Sequence, residues 1–310
     1  MESRALSWWG IIKVTRCGFA TLVGAPNAGK STLLNKMVGA KLSIVSPKAQ
    51  TTRFRILGIL MRKESQILLV DTPGIFRPRR MFDRAMVTAA WEGAEEADIV
   101  LLLVDVRSGF TAVVRDIIER LKQAGRRVWL VLNKIDLVCS DVLLPLTAAL
   151  TEKIKVEHVF MISARKGNGV EDLLDQLADD LPKGPYLYPE DDLTDLPDRL
   201  LAAELVREQI FIQSHKEVPY GVTVETESYK EQGDGSVRVD VVIYVLRSGH
   251  KAILIGSKGQ KIRQIGENAR KQLSRLLGRP CHLFLNVKER SGWDNEHARL
   301  QAIGLEVVSA

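Results

Sequence analysis

The sequence predicts an α/β unit built on a doubly wound, mostly parallel sheet, followed by a smaller α+β unit, and three observations carry that prediction. Residues 17–181 alternate short apolar runs with longer segments of 3.6-residue periodicity, the pattern of strands joined by crossover helices. From Leu181 to Pro197 the composition changes to four prolines and clustered acids, which reads as a connector. Residues 198–302 then carry helix and strand patterns in the order α-β-β-α-α-β.

In the first unit, strands are expected at Phe19–Val23, Phe54–Leu60, Gln66–Val70, Ile99–Val104, Val128–Leu132 and His158–Met161. The last four are dominated by Val, Ile and Leu, as expected of strands covered on both faces by helices. Helices should start near Lys30, Asp83, Thr111, Asp141 and Val170, between the strands. In the second unit, an amphipathic helix over Asp198–Gln213 precedes two alternating strands, Tyr220–Tyr229 and Val237–Leu246. Gly233-Asp234-Gly235 between them is a strong hairpin signal. Lys251–Ile255, a break at Gly256-Ser257-Lys258-Gly259, a helix over Gln260–Leu277 and a strand over His282–Val287 complete the order.

The 310 residues are 45% hydrophobic and 26% charged, so a sizeable core can be buried, which argues against wholesale disorder. The three cysteines, Cys17, Cys139 and Cys281, have neither disulfide nor zinc spacing and fit a reducing compartment. No apolar run is long enough to span a bilayer. Residues 1–16, with Trp8-Trp9-Gly10-Ile11-Ile12, read as an N-terminal extension, poorly ordered, and residues 303–310 as a C-terminal tail. The formal charge of +6 makes an anionic partner plausible without identifying it.

Gly24-Ala25-Pro26-Asn27-Ala28-Gly29-Lys30-Ser31 matches G-x-x-x-x-G-K-[ST] between an expected strand and an expected helix. Its backbone N–H groups can converge on phosphate oxygens at a helix N-terminus, with Thr32 following in the first turn. Lys30 would reach the β and γ phosphates, and Ser31 would offer its hydroxyl to Mg²⁺. Asp71-Thr72-Pro73-Gly74 ends an apolar run, where a carboxylate can hold Mg²⁺ through water and Gly74 lets a backbone N–H approach the γ-phosphate. Alone it could be a strand-ending turn. Between them, Gln50-Thr51-Thr52-Arg53 offers a threonine that closes on the metal only when the γ-phosphate is present. Thr52 is preferred to Thr51, the alternative being a solvated loop. Lys30, Thr52 and Gly74 are thus the candidate catalytic residues, and Ser31, Thr52 and Asp71 the candidate Mg²⁺ residues.

Asn133-Lys134-Ile135-Asp136 follows the expected strand Val128–Leu132. The Asp136 carboxylate can accept both N–H groups of a guanine edge, for which adenine has no matching donor pair. Ser163-Ala164, after the next strand, would brace the same base through a backbone N–H. In this order and at strand ends, the four motifs resemble the Era family among the translation-factor-type GTPases, over residues 17–302. Ser46-Pro47-Lys48-Ala49-Gln50-Thr51-Thr52-Arg53 and the C-terminal G-x-x-G module support the likeness. The resemblance implies a P-loop GTPase domain over 17–181, a linker over 182–197 and a type II KH domain over 198–302. It further implies binding near the 3′ end of small-subunit ribosomal RNA during assembly of the 30S subunit.

After Gly74 comes Ile75, where many GTPases place a glutamine that orients the attacking water. Water positioning is therefore expected from backbone, the switch region or a partner, with slow intrinsic turnover. The resemblance also implies K⁺ at Asn27, supplying charge where an arginine finger would otherwise act, against a purely loop-shaping role for that side chain.

From Arg247 to Arg290 eleven basic residues face only two acids, Glu267 and Glu289, a local concentration expected of a phosphate-binding surface. Gly256, Ser257, Lys258 and Gly259 would form a tight loop between two helices that approaches single-stranded nucleic acid, with Lys261, Arg263 and Lys288 beside it. Ile255 and Ile262 are expected in the groove wall and core. Phe284 and Trp293 are candidates for base stacking, with core burial the favoured reading of Phe284. A solvated basic helix face is the bland alternative. A second reading is a membrane- or protein-docking regulatory GTPase that uses the same face for anionic lipid at the inner membrane. The chain would accordingly be cytoplasmic or peripheral on the cytoplasmic face, with no DNA partner expected.

Overall fold

The computed structural model describes residues 14–214, 217–302 and 305. Residues 1–13 of the expected extension, and the expected tail apart from Leu305, lie outside them. Thr15 and Arg16 differ from the expectation for an extension. The Thr15 hydroxyl donates to the Gly184 carbonyl at 2.8 Å, and Arg16 opens the first strand.

The first unit runs β1 (Arg16–Gly24), α1 (Lys30–Val38), β2 (Ile56–Arg62), β3 (Ser65–Asp71), α2 (Met81–Glu96) and β4 (Ile99–Asp105). It continues with α3 (Ala112–Ala124), β5 (Val128–Asn133), α4 (Leu143–Thr151), β6 (Val159–Ile162) and α5 (Val170–Asp180). Its six strands lie in the order β2-β3-β1-β4-β5-β6, all parallel except β2, which runs antiparallel to β3. Chain connections diverge on either side of β1, which opens a crevice at the carboxyl ends of the strands. Ile99–Val104 and Val128–Leu132 are buried throughout, as coverage on both faces requires. The last strand departs from that expectation: β6 is a sheet edge, and Val159 is exposed. Helix α3 begins where Thr111 Oγ1 accepts the Val114 N–H at 3.3 Å and ends at Gly125 in the left-handed region.

The second unit runs α6 (Asp198–Gln213), β7 (Val222–Glu231), β8 (Val237–Val245), α7 (Ser248–Ile255), α8 (Gln260–Leu277), β9 (Cys281–Glu289) and α9 (His297–Ala302). β7 pairs antiparallel and β9 parallel with β8, and the inward-facing valines of this sheet share a core with α6 and α8. Alternation sends Leu283, Leu285 and Val287 toward the helices and turns Phe284 outward.

The two aromatics exchange their expected roles. Phe284 is 51% exposed, with the Arg238 guanidinium 4.6 Å from its ring centre, whereas Trp293 is 1% exposed. Trp293 packs edge-on against Phe82 of α2, with ring centres 5.8 Å apart, and its indole N–H donates to the Gly221 carbonyl at 3.4 Å. Trp293, Leu300 and Leu305 thereby belong to the same apolar cluster as Phe82, Met86 and the α1 leucines of the first unit. The connector covers the free edge of β2: the Ile59 N–H donates to Leu193 O at 2.8 Å and the Thr194 hydroxyl to Leu57 O at 2.6 Å. Among the described residues, no helix is long and apolar enough to cross a membrane.

Candidate nucleotide and nucleic-acid sites

The crevice at the end of β1 holds a cavity of about 640 Å³, lined on one side by the 26–32 loop, on another by residues 44–52 and on a third by Asn133, Asp136 and Ser163–Arg165. Two glycines make the close approach possible. Gly29 sits at φ 101°, and a Cβ there would lie 2.2 Å from the Asn133 amide nitrogen. A Cβ on Gly74 would lie 2.8 Å from the Pro26 backbone.

Lys30 opens α1 and folds back over its own loop, donating to the carbonyls of Gly24 at 3.2 Å and Ala25 at 3.3 Å. Burial lowers its ammonium to a pKa of about 8, against the pull of Asp71. Three oxygens from distant parts of the chain meet beside it. Ser31 Oγ donates to Asp71 Oδ2 at 2.6 Å, Thr52 Oγ1 donates to the same oxygen at 3.2 Å, and the two hydroxyls are 2.8 Å apart. Ser43 donates to that oxygen as well, at 2.7 Å. Burial pushes the Asp71 carboxyl above its usual range, opposed by Lys30 and these hydroxyls, and its Oδ1 is buried without a partner. A buried carboxylate with an orphaned oxygen beside two hydroxyls fits a small oxygen-seeking dication such as Mg²⁺.

The base side is braced by Asn133. Its amide donates to Ala28 O at 2.8 Å, while its carbonyl oxygen accepts from the backbone N–H groups of Lys134 at 2.8 Å and Ala164 at 3.0 Å. The Ser163 N–H donates to Asn168 O at 3.0 Å, so in this structure the backbone N–H groups of Ser163-Ala164, one of which is expected to brace a base, are bonded within the protein, to Asn168 and Asn133. Lys134, at φ 70°, reaches Asn27 O at 2.6 Å and Asp105 Oδ2 at 2.5 Å. Asp136 lines the cavity, and the Ser163 hydroxyl holds its carboxyl below the usual range, which keeps it an acceptor.

Not every motif residue reaches the cavity. Thr72 is buried, its hydroxyl donating to Leu22 O at 2.7 Å, and so ties β3 to β1. Ile75 is buried in the core beside Ala90 and Val23, so its side chain faces away from the crevice. The Asn27 amide donates to Pro47 O at 3.2 Å, joining the phosphate loop to the 44–52 segment. Sequence reading missed Ser43, Asp105, Arg107 and Ile212. Asp105 had a signal, an acid at a strand end; Ile212 had none, since it belongs to α6 of the second unit yet lines the cavity.

The second candidate site lies between α7 and α8. Gly256 has φ 70°, and a Cβ there would meet the Lys261 Cβ at 2.8 Å; Gly259 has φ 74°. These are conformations in which glycine is unstrained, and they project Ser257 and the exposed Lys258 from a tight turn. Lys261 and Arg263 follow in the first turn of α8, and Ile255 and Ile262 pack on the core. Lys288 stands apart: Val287 packs toward the helices, so Lys288 lies on the other sheet face, paired with Glu227 at 2.8 Å. Gly256, Ser257, Lys258, Gly259, Lys261 and Arg263 therefore form one surface, without Lys288.

Two family models match the chain, that of a 50S ribosome-binding GTPase over residues 19–134 and that of the KH domain over residues 217–294. "GTPase Era" of Dinoroseobacter shibae is 52% identical over 94% of this chain and 96% of that protein. "GTPase Era" of Agrobacterium fabrum is 51% identical over 94% and 92%. A crystal structure of an Aquifex aeolicus Era variant bound to GDP and AlF₄⁻ superposes with a TM-score of 0.90 at 38% identity, covering 94% of this chain and 100% of that one. A structure of Era with MgGDPNP and nucleotides 1506–1542 of 16S ribosomal RNA also gives a TM-score of 0.90 at 38% identity, covering 94% of this chain and 99% of that one.

Proposed function

The chain belongs to the Era family of GTPases, and from that premise we propose that it binds 16S ribosomal RNA near its 3′ end and uses GTP hydrolysis to time its action in 30S subunit assembly. The observation that carries this reading is one chain holding both the gathered Ser31, Thr52 and Asp71 oxygens and a tight basic G-x-x-G loop between helices. The same Era relative that binds MgGDPNP also binds the end of 16S ribosomal RNA.

Ser31, Thr52 and Asp71 would hold Mg²⁺, which when bound neutralises phosphate charge. Lys30 supplies a cation whose donors leave the Gly24 and Ala25 carbonyls for phosphate oxygens, and the backbone of residues 26–31 cradles those oxygens at the start of α1. Gly74 brings its backbone N–H to the γ-phosphate, and the Asp136 carboxylate accepts from the guanine edge. With Ile75 turned into the core, the attacking water must be oriented by backbone or by the 44–52 segment. K⁺ beside Asn27 would add charge there; turnover faster in K⁺ than in Na⁺ is the expected result, and equal rates remove K⁺ from the reading. On the RNA side, Lys258, Lys261 and Arg263 neutralise backbone phosphates while the glycine turn lets the strand approach.

The test is crosslinking of the purified protein to RNA from a cell lysate, with sequencing of bound fragments, in a non-hydrolysable GTP analogue and in GDP. Enrichment near the 16S 3′ end, stronger with the analogue, is expected. No enrichment in either state would refute the RNA partner and turn attention to anionic lipid.

A further inference from the structure

Arg53 directly follows Thr52, and its guanidinium leaves the first unit altogether. Nη1 donates to Val222 O at 2.7 Å and Nη2 to Pro219 O at 3.3 Å, both carbonyls of the second unit. The cation lies 5.2 Å from the ring centre of Phe82, 5.6 Å from Trp293 and 5.9 Å from Phe211. It is 4% exposed, and no ion pair among the described residues involves it. Glu204 and Asp294 attract the buried cation only at longer range, opposed by Arg207 and Arg80. Without a carboxylate in direct contact the burial is costly, and an apolar residue of similar volume would fill such a cage at lower cost. The rest of the segment is gripped from the same side: the Val45 N–H donates to Glu208 Oε1 at 2.8 Å, Lys41 pairs with the Glu208 carboxylate at 2.5 Å, and the Lys48 ammonium donates to Phe211 O. Glu208 and Phe211 both belong to α6.

We propose that Arg53 is a positioning residue for GTP hydrolysis, which holds Thr52 at the Ser31–Asp71 oxygens only while the second unit is docked on the first. The alignment of the proposed metal-binding threonine thereby depends on the second unit, whose α6 also holds the 44–52 segment and lines the cavity with Ile212. The geometry is a short rigid linkage. One peptide unit separates Thr52, whose hydroxyl sits in the oxygen cluster, from an arginine clamped between α2, α6 and the Val218–Gly221 turn. If the second unit shifts, the two carbonyls and two of the three rings move away from the guanidinium, and Thr52 loses its anchor.

The inference rests on the proposed role of Thr52 at the metal, and the test separates the two. In the full chain with Mg²⁺, Arg53→Met, Arg53→Lys, Thr52→Ala and the Thr52→Ala/Arg53→Met double variant are compared for kcat, KM and the ratio of GDPNP to GDP affinity. Arg53→Met is expected to lower kcat about tenfold and to lower that ratio, with GDP affinity held within about twofold, because the threonine acts on the triphosphate state. Thr52→Ala should do the same, and the double variant should be no worse than Thr52→Ala alone, the signature of two residues acting as one unit. Arg53→Lys keeps a cation among the rings but cannot fork across two carbonyls, so it should fall between, and it reads the inference if Arg53→Met does not fold. If Thr52→Ala leaves the nucleotide preference intact, the metal role of Thr52 fails and the inference with it. If Thr52→Ala loses that preference while both Arg53 variants keep it, or if the two losses add, the role of Arg53 alone is refuted.

Discussion

At the scale of single residues, two charges define the nucleotide site. Asp136 lines the base end of the cavity with its carboxyl held ionised by the Ser163 hydroxyl. Asp136→Asn replaces one acceptor oxygen by a donor, and the preference for GTP over ATP in competition binding should fall by about a hundredfold or more. Lys30 is the second. Its pKa is lowered to about 8 by burial, from an ordinary value of 10.5. Between those values the unfolded chain holds a proton that the folded chain has released, so stability should rise with pH across that window and be flat just below it. A phosphate beside Lys30 raises its pKa again, so nucleotide binding should take up protons. Calorimetry at a pH of about 8.5 in two buffers of different ionisation enthalpy would detect that uptake, and none at all would clear Lys30. Both residues were legible as motif members, because G-x-x-x-x-G-K-[ST] and N-K-x-D fix residue type through chemistry. Ser43 and Arg53 were not, since their roles come from a hydroxyl and a guanidinium brought across long sequence separations.

At the scale of elements, the turn between α7 and α8 carries the nucleic-acid reading. Its two positive-φ glycines leave Lys258 exposed at φ 49°, and Lys261 one turn later presents a second cation from the same edge. Lys258→Ala/Lys261→Ala should weaken binding to a single-stranded RNA of the 16S 3′ end. It should also flatten the slope of log affinity against log salt by about 1.4, the share of two phosphate contacts on a single strand. An unchanged slope would remove both lysines from the contact surface. The helices and strands of this unit were readable from periodicity to within a few residues, as Asp198–Gln213 and Gln260–Leu277 demonstrate. The roles of Phe284 and Trp293 were not readable. Period-2 alternation says that β9 has two faces but not which one meets the helices, and Trp293 lies in an irregular turn whose burial depends on the other unit.

At the scale of the whole molecule, the two units are held together by aromatic packing as well as by the Arg53 fork. Trp293→Ala removes the ring that faces both Phe82 and Arg53, and should cost about 3–5 kcal/mol in denaturant unfolding of the full chain. It should also speed hydrogen exchange in residues 44–53; exchange unchanged there would mean that the interface does not order this segment. No local pattern announces such a joint, because the first-unit partners of Trp293, Phe82 and Arg53, lie more than about two hundred positions earlier in the chain. The placement of Trp293, Leu300 and Leu305 in the core of the first unit also bears on how the protein is made. A nascent chain emerges N-terminus first, so the first unit must wait for Trp293, Leu300 and Leu305 to be translated before Phe82 is covered. Until then it is a partly finished body with an open apolar flank, the kind of surface that invites aggregation. Full packing of the nucleotide-binding unit thus follows the emergence of the second unit rather than the first unit's own.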